Sequence, residues 1–373
     1  MKHKKGIKDS KCFWIFLFST CRQVYKGDEK MKAGVYVSET KAVMQQKAKP
    51  VIKEGEALVQ VSHAGICGTD MMIYFGKHPR AQAPLIMGHE FSGVIEEIRG
   101  ETEFSLGDRV AVEPTLSCRT CEACVRGQFH VCKKLKLIGI DQDGGFAEYV
   151  AVPVNRLHLL PEKLSSPHAA LAEPVAVAVH TVRRSRLKIG DQAVILGAGP
   201  IGLLIGMIAK RAGAKKVMIS DISSYRLTKA KELGFIPIDA AKKDVVKEVC
   251  LLTNDVGADV VFEVAGNQIT AKQMVETSRI QGEIVVVSVY KNAPEVDLAA
   301  MHFKEISLTT TRCYTKEDFQ TAIDLLANGE IAADSLISHK LQLEDIQAGF
   351  EFMQRPDESL KVLFAPNGEE NEQ

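Results

Sequence analysis

The chain has 373 residues, of which 46% are apolar and 25% are charged, so it is long enough for two folded domains with ordinary hydrophobic cores. Lysine plus arginine and aspartate plus glutamate both number 47, a balance that gives no electrostatic reason to expect nucleic acid or an anionic membrane as a partner. No apolar run approaches the roughly 20 residues that a membrane-spanning helix needs.

Residues 1–30 differ in composition from the rest of the chain. A basic start is followed by the apolar run Cys12–Phe18, an order typical of a signal peptide, and Cys21 even suggests a lipid-attachment site. The alternative is a misassigned start, because the codons for Lys26–Glu29 can form a ribosome-binding sequence just before Met31. We favour the misassigned start, and otherwise expect residues 1–30 to be disordered.

Short strands and turns are predicted for residues 31–174. Ala57–Ser62 and Phe91–Ile98 alternate between apolar and polar side chains, and the glycine-rich stretch Asp141–Pro153 is a further turn followed by a strand. Many short strands with such turns are typical of a compact, barrel-like β domain.

Residues 175–308 show a different pattern, in which a helix at Val175–Val182 is followed by alternating strands and helices. The predicted strands are Ala193–Leu196, Val217–Ser220, Val260–Val264 and Ile284–Val289. Continuous apolar strands separated by helices predict a doubly wound α/β domain with a parallel sheet. The segment 309–366 adds a helix and a last strand that fit either domain, and 367–373 is predicted to be a solvated tail.

The turn GAGPIG at 197–202 follows a predicted strand and opens a helix, which is the context of a dinucleotide-binding turn. Its predicted cofactor-binding residues are Gly197, Gly199, Pro200, Ile201 and Gly202. Asp221 ends the next strand and is predicted to bind the adenosine ribose, which favours NAD over NADP. Arg226 tempers that preference without reversing it.

Four cysteines crowd into fifteen residues, at Cys118, Cys121, Cys124 and Cys132. Four thiolates can complete a tetrahedral zinc shell with no open position, so we predict a structural zinc site. The spacing lacks the ending that is usual for bacterial iron–sulfur ligands.

A second, incomplete ligand set is predicted from Cys67, His89, Glu90 and Glu173. One thiolate, one imidazole and carboxylate oxygen leave a coordination position for water or an alcohol, as catalytic zinc requires. These residues are far apart in the sequence, and a lone cysteine or histidine is more often a packed core residue.

The stretches GICGTD, GHEFSGVI, the four-cysteine loop, DGGFAEY, EP and GAGPIG occur in the order found in zinc-containing medium-chain dehydrogenases. From Met31 to about Phe364 the chain resembles their sorbitol and threonine dehydrogenase branch, and DQDGGFAEY, HTVRR and VAGNQ resemble hexonate dehydrogenases of the galactonate type. The resemblance implies an α/β fold: a β-rich, GroES-like catalytic domain (31–174 and 309–366) with an inserted Rossmann-type NAD domain (175–308). It also implies a homotetramer or dimer.

The resemblance further implies roles for residues near the incomplete ligand set. Cys67, His89 and Glu173 would hold catalytic zinc, and Glu90 would join that shell or exchange with water. Asp70 would accept the free N–H of His89. Thr69 would bond the substrate alcohol and start a proton relay.

The sequence departs from the pattern at Met72, where some zinc alcohol dehydrogenases carry a histidine that completes this relay. A thioether cannot shuttle protons, so proton exit must use ribose hydroxyls, water or another group. Val287 is predicted to line the nicotinamide site. Arg312 could reach the cofactor or a polar substrate, although a surface position fits it nearly as well. Arg183 and Arg184 could pair with a substrate carboxylate, but a solvated helix face is the favoured interpretation of these adjacent basic residues.

Together these features predict oxidation of a secondary alcohol of a sugar acid or polyol, with hydride transferred to NAD and two zinc ions per chain. A hexonate such as galactonate is favoured, threonine and sorbitol-type polyols are the alternatives, and a protein that binds NAD and zinc without turnover is a remote one. The substrate is a small alcohol, and no nucleic acid or membrane partner is expected. Thiolate zinc sites and NAD chemistry fit the cytoplasm.

Overall fold

The computed structural model describes residues 29–368. The predictions for the leader and for the tail therefore lie almost wholly outside the described residues. Within residues 29–368, no helix is long and apolar enough to cross a membrane.

The first half of the described chain is rich in β-structure. Its strands are β1 Lys30–Ser38, β2 Lys41–Ala48, β3 Glu56–Gly65, β4 Leu85–Ile86, β5 Glu90–Ile98, β6 Arg109–Val112, β7 Thr115–Leu116, β8 Lys136–Leu137, β9 Tyr149–Pro153 and β10 Leu157–Leu159. The helices of this part are short: α1 Gly68–Tyr74, α2 Glu122–Val125 and α3 Ser166–Ala169.

The second half alternates between helices and strands. Its strands are β11 Gln192–Leu196, β12 Lys216–Asp221, β13 Ile236–Asp239, β14 Ala258–Glu263, β15 Ser278–Val286, β16 Ser307–Thr310, β17 Ile337–Leu341 and β18 Lys361–Phe364. Its helices are α4 Ala172–Arg184, α5 Pro200–Arg211, α6 Ser224–Glu232, α7 Val245–Leu252, α8 Gln268–Thr277, α9 Leu298–Phe303, α10 Lys316–Ala327 and α11 Ile346–Phe352.

A seven-stranded sheet organises the β-rich part, with the order β10-β6-β5-β3-β18-β17 and β9 paired to β3. The C-terminal segment contributes β17 and β18, and β18 pairs antiparallel with β3. The strand LKVLF, which the sequence could assign to either domain, therefore joins the sheet that carries the predicted metal ligands. The domain boundaries themselves remain predictions.

A six-stranded, fully parallel sheet organises the second half of the chain, in the order β13-β12-β11-β14-β15-β16. Along β11, Ala193 and Ile195 belong to one apolar cluster, whereas Val194 and Leu196 belong to another on the opposite face. Burial on both faces explains why this strand is a continuous apolar run. The predicted doubly wound fold is confirmed.

Some elements differ from the predictions. Strand β15 ends at Val286 rather than Val289, and α4 begins at Ala172, because a proline at position 174 is tolerated in the first turn of a helix. The sequence also missed β13, whose Pro237 argues against a strand. β13 lies at an edge of the sheet, where proline is tolerated.

Candidate active site

A cleft of about 590 Å³ lies at the carboxyl ends of the parallel strands. One side is lined by the glycine turn and Asp221, and the other side by Cys67 and Glu90 of the β-rich part. The structure thus brings the predicted dinucleotide turn and the predicted metal ligands to one cavity. Ligands of open α/β sheets bind at this edge.

Three of the predicted ligands form a compact group. Donor atoms of Cys67, His89 and Glu90 all lie within 4.8 Å of one another. The pairing of β3 with β5 explains this, because Gly65 lies opposite Glu90 and the chain reaches Cys67 two residues later. One thiolate, one imidazole and one carboxylate fit a zinc ion with an open coordination position.

Asp70 is completely buried beside this group. Its Oδ2 accepts a hydrogen bond from the backbone N–H of Cys67 at 2.9 Å, and its Oδ1 lies 3.4 Å from Nδ1 of His89. Burial opposes protonation of His89, but Asp70 and Cys67 outweigh it and raise the pKa of the imidazole. With Nδ1 facing Asp70, Nε2 is the nitrogen left for a metal. The predicted hydrogen bond from the His89 ring to Asp70 remains a prediction, because these two atoms are 3.4 Å apart and have no hydrogen-bond partner among the described residues.

Glu173 lies next to the ligand group, not within it. It is buried in the first turn of α4, and it is absent from the set of donor atoms that lie within 4.8 Å of one another. Burial and the neighbouring Glu90 carboxylate raise the pKa of Glu173 to about 7. Glu90 thus lies within the compact group and Glu173 is its buried neighbour. Metal binding by the two carboxylates remains a prediction.

Lys361 is a site residue that the sequence reasoning missed. Its ammonium is buried, donates to Glu90 Oε2 at 2.6 Å and to the carbonyl of Ile66 at 3.0 Å, and lines the cleft. Burial opposes the charge, but Glu90 and Cys67 outweigh it and raise the pKa of Lys361. The sequence does contain a feature that could have revealed this residue, namely a lysine at the start of the apolar strand KVLF. A lysine in a buried strand needs a partner for its charge.

Helix α1 carries the residues that the resemblance linked to proton transfer. Thr69 and Met72 are both half-buried, and Gly68 and Met71 beside them line the cleft. The role of Thr69 in binding the alcohol therefore remains a prediction.

The four-cysteine loop forms a second compact group. Donor atoms of Cys118, Cys121, Cys124 and Cys132 lie within 4.8 Å of one another, and the pairing of β7 with β8 closes the loop that carries them. The backbone N–H of Cys118 and that of Lys134 each donate to Sγ of Cys132 at 3.3 Å. Hydrogen bonds from Thr120 lower the pKa of Cys118 to about 5. These features fit a closed zinc–thiolate shell.

The glycine turn has the geometry that a dinucleotide needs. Gly197 has φ of 116°, and a Cβ on Gly202 would lie 1.9 Å from the carbonyl oxygen of Gly197. Gly199 caps helix α5, which begins at Pro200, and the first residues of this helix line the cleft. Such a helix start binds diphosphate.

Asp221 and Arg226 both line the cleft beside this turn. Asp221 Oδ2 accepts from the N–H of Ala198 at 2.8 Å, and Oδ1 accepts from that of Ser223 at 2.9 Å. Nη1 of Arg226 lies 4.0 Å from Asp221, and its buried Nε has no hydrogen-bond partner among the described residues. The pair fits a ligand with hydroxyl and phosphate oxygens.

Val287 and Arg312 are not among the residues that line the cleft. Val287 lies beyond the end of β15, where its N–H bonds to the carbonyl of Glu263 and its side chain packs into the core. Arg312 is exposed beyond edge strand β16. Arg183 forms an ion pair with Asp318 at 2.7 Å, which agrees with the surface interpretation of that arginine.

Two family models match the chain: the alcohol dehydrogenase GroES-like domain over residues 53–162, and the zinc-binding dehydrogenase model over residues 200–328. Together they span more than half of the sequence. This chain belongs to the zinc-containing medium-chain dehydrogenases.

Comparison with individual proteins agrees with this assignment. The enzyme is 40% identical to 2-dehydro-3-deoxy-L-galactonate 5-dehydrogenase of Pseudoalteromonas atlantica over 318 residues, or 85% of this chain and 93% of that protein. It superimposes on 2R,3R-butanediol dehydrogenase from Bacillus subtilis with a TM-score of 0.85 and 34% identity, covering 90% and 100% of the two chains. A structure from Sinorhizobium meliloti 1021 that contains NADP has a TM-score of 0.85 and 32% identity, covering 91% and 100%.

The resemblance predicted from the sequence is therefore confirmed, including the branch, since relatives named sorbitol dehydrogenase and L-threonine 3-dehydrogenase also match. The protein is a zinc-type, NAD(P)-dependent alcohol dehydrogenase with a GroES-like domain and a Rossmann-type sheet.

Proposed function

We propose that this enzyme oxidises a secondary alcohol of a sugar acid to the ketone and transfers the hydride to NAD, with a hexonate such as galactonate as the favoured substrate. The proposal depends on one observation above all: a single cleft is lined both by Cys67 and Glu90 and by the glycine turn. The 40% identity to a relative named for a galactonate derivative supports the substrate class.

The chain's own residues hold the reacting groups together. Zinc bound by Cys67, His89 and Glu90 would supply a Lewis acid that polarises the substrate hydroxyl. Asp70, whose Oδ1 lies 3.4 Å from Nδ1 of His89, would orient that ring, and Lys361 holds the carboxylate of Glu90. The start of α5 binds the diphosphate, so the nicotinamide extends toward the metal side of the same cleft.

NAD is the proposed cofactor in preference to NADP. The carboxylate of Asp221 lies at the adenosine end of the cleft and repels a 2′-phosphate, while Arg226 at 4.0 Å lessens that repulsion. We also propose two zinc ions per chain, because the four-cysteine group and the Cys67 group are separate. A cytoplasmic location remains a prediction.

A homo-oligomer, either a dimer or a tetramer, is proposed from the family resemblance. Strand β16 is at one edge of the six-stranded sheet, and the neighbouring Leu298 and Phe303 are 70% and 83% exposed. An unpaired edge beside exposed apolar side chains favours pairing with a second copy. Light scattering after size-exclusion chromatography tests this, and a monomer at micromolar concentration would contradict it.

The substrate proposal is tested by comparing kcat/KM for galactonate and its 2-dehydro-3-deoxy derivative with kcat/KM for sorbitol, butanediol and threonine. NADH absorbance reports turnover, and each substrate is run with NAD and with NADP. We expect a hexonate with NAD to exceed every other pair by about tenfold or more, the discrimination that one unpaired buried polar group gives. Highest activity on threonine would overturn this ordering. Cys67→Ala, which removes a metal ligand, shows whether the turnover belongs to this site.

A further inference from the structure

Glu263, the last residue of β14, is completely buried, which is rare for a charged side chain without partners. Its Oε1 accepts hydrogen bonds from the N–H groups of Ala265 at 3.0 Å and Gly266 at 2.8 Å, and from the hydroxyl of Thr270 at 2.7 Å. Its Oε2 accepts from the hydroxyl of Ser288. One carboxylate thus receives four donors.

The backbone of Glu263 adds two more bonds. Its carbonyl accepts from the N–H of Val287 at 2.9 Å and from that of Ser288 at 3.2 Å. The residue therefore joins two segments. One is the 264–270 loop, by which we mean the turn after β14 together with the first residues of α8, and the other is the 287–290 loop that follows β15.

The 264–270 loop forms a wall of the dinucleotide cleft. Its cleft-lining residues are Val264, Ala265, Asn267, Ile269 and Thr270. In the sheet, β14 lies on one side of β11 and β12 lies on the other. Because Asp221 at the end of β12 faces the adenosine ribose and the turn after β11 faces the diphosphate, the wall after β14 faces the nicotinamide half.

We propose that Glu263 is a positioning residue that holds the 264–270 loop in place for the nicotinamide half of NAD(P), and so sets the affinity for the cofactor through that half. The inference rests on NAD(P) binding by this enzyme, whichever alcohol is its substrate.

The donors around Glu263 show why a carboxylate is needed. Without it, the N–H groups of Ala265 and Gly266 and the hydroxyl of Thr270 lose a buried acceptor, and such groups move to find another. The hydroxyl of Tyr290 is also buried near Glu263 without a hydrogen-bond partner among the described residues. Burial and the Glu263 carboxylate raise the pKa of Tyr290, so this hydroxyl keeps its proton and stays a donor.

The test compares Glu263→Met with Glu263→Gln in the full-length, zinc-loaded enzyme. Methionine replaces both carboxylate oxygens with a thioether, which is only a weak acceptor. The amide oxygen of glutamine can receive the three donors of Oε1, and the Ser288 hydroxyl can turn to accept from the amide N–H. Dissociation constants are measured for NADH by fluorescence and for ADP, the adenosine half alone, by calorimetry. KM for NAD and kcat are measured in parallel.

We expect Glu263→Met to raise the NADH dissociation constant and the KM for NAD by about tenfold or more, as the loss of a buried acceptor predicts. The ADP dissociation constant should stay within about twofold, and Glu263→Gln should stay within about threefold of wild type for both ligands. The matched control is Glu283→Met, because Glu283 is also buried, on β15, but accepts from the N–H of Arg186 away from the cleft. This control should change neither constant.

Parallel loss of NADH and ADP affinity would show a general structural role and overturn the proposal. So would unchanged NADH affinity in Glu263→Met, or an equal loss in the Glu283 control. If Glu263→Met does not fold, Ser288→Ala tests the proposal instead. This change removes one hydrogen-bond donor to Glu263, from a residue that does not line the cleft. It should raise the NADH dissociation constant about threefold without affecting ADP, and no change would count against the proposal.

Discussion

The ammonium of Lys361 lies 2.6 Å from Oε2 of Glu90, and both side chains are buried, at 4% and 1% exposure. The contact joins β18, the last described strand, to β5, which begins at Glu90, 271 residues earlier in the chain. A buried charge pair of this kind is costly to break, because the remaining partner has no water to replace the lost one.

Lys361→Met should destabilise the enzyme by about 3–5 kcal/mol when zinc is removed, and by less when zinc is bound and offers Glu90 another cation. Urea denaturation with and without chelator measures the difference. Lys340→Met, an exposed lysine on neighbouring β17, is the control. Equal denaturation midpoints for the two variants without zinc would contradict a stabilising pair.

Cys124→Ser should lower the zinc content by about one ion per chain, because three thiolates and a hydroxyl no longer form a closed shell. Elemental analysis after dialysis reports the stoichiometry, and the melting temperature should fall with it. Cys250→Ser on α7 lies outside both ligand groups and should keep both ions. Two ions retained in Cys124→Ser would refute a structural role for this group.

Asp221→Ser should shift the ratio of kcat/KM for NAD to that for NADP by about tenfold or more toward NADP. The change removes a charged acceptor of the ribose hydroxyls and the repulsion of a 2′-phosphate, while Arg226 stays in place. Asp239→Ser at the end of adjacent β13 is the control, since Asp239 bonds Lys242 at 2.8 Å. An unchanged ratio would show that Asp221 serves only to hold the glycine turn.

The ionised carboxylate of Asp318 should stabilise the folded enzyme near neutral pH, and this stabilisation should be lost in acid. Burial opposes its ionisation, but hydrogen bonds from His180, Thr315 and Arg183 outweigh this and hold the pKa of Asp318 well below its usual range. Because the folded state favours the ionised form, the contribution is complete above the unfolded pKa of about 3.9 and is lost as pH falls below it.

Asp318→Asn should therefore destabilise the protein at pH 7, with a difference from wild type that narrows as pH falls below about 4. Urea midpoints at several pH values measure this difference. Asp324→Asn, on the exposed face of the same helix, should show little effect. A gap between wild type and Asp318→Asn that stays constant down to pH 3 would contradict the assignment.

Local patterns predicted a large part of the fold. Four of the six parallel strands were predicted, because burial on both faces makes them continuous apolar runs. The glycine turn was predicted because its three glycines lie within six residues. Pro237 hid β13, whose strand character depends on its place at the sheet edge. The end of β15 was predicted three residues too late, at Val289 instead of Val286, and the place of Val287 in the nicotinamide site remains a prediction.

By itself, the sequence determined the four-cysteine group, the dinucleotide turn and the family, because these depend on residues close together along the chain or on stretches in a fixed order. Only the tertiary structure decided that Cys67, His89 and Glu90 lie in one compact group with Glu173 outside it, and that Lys361 and Glu263 support the cleft. Those contacts arise from strand pairing and burial between distant segments, and spacing along a single chain does not encode which distant side chains will share one buried volume.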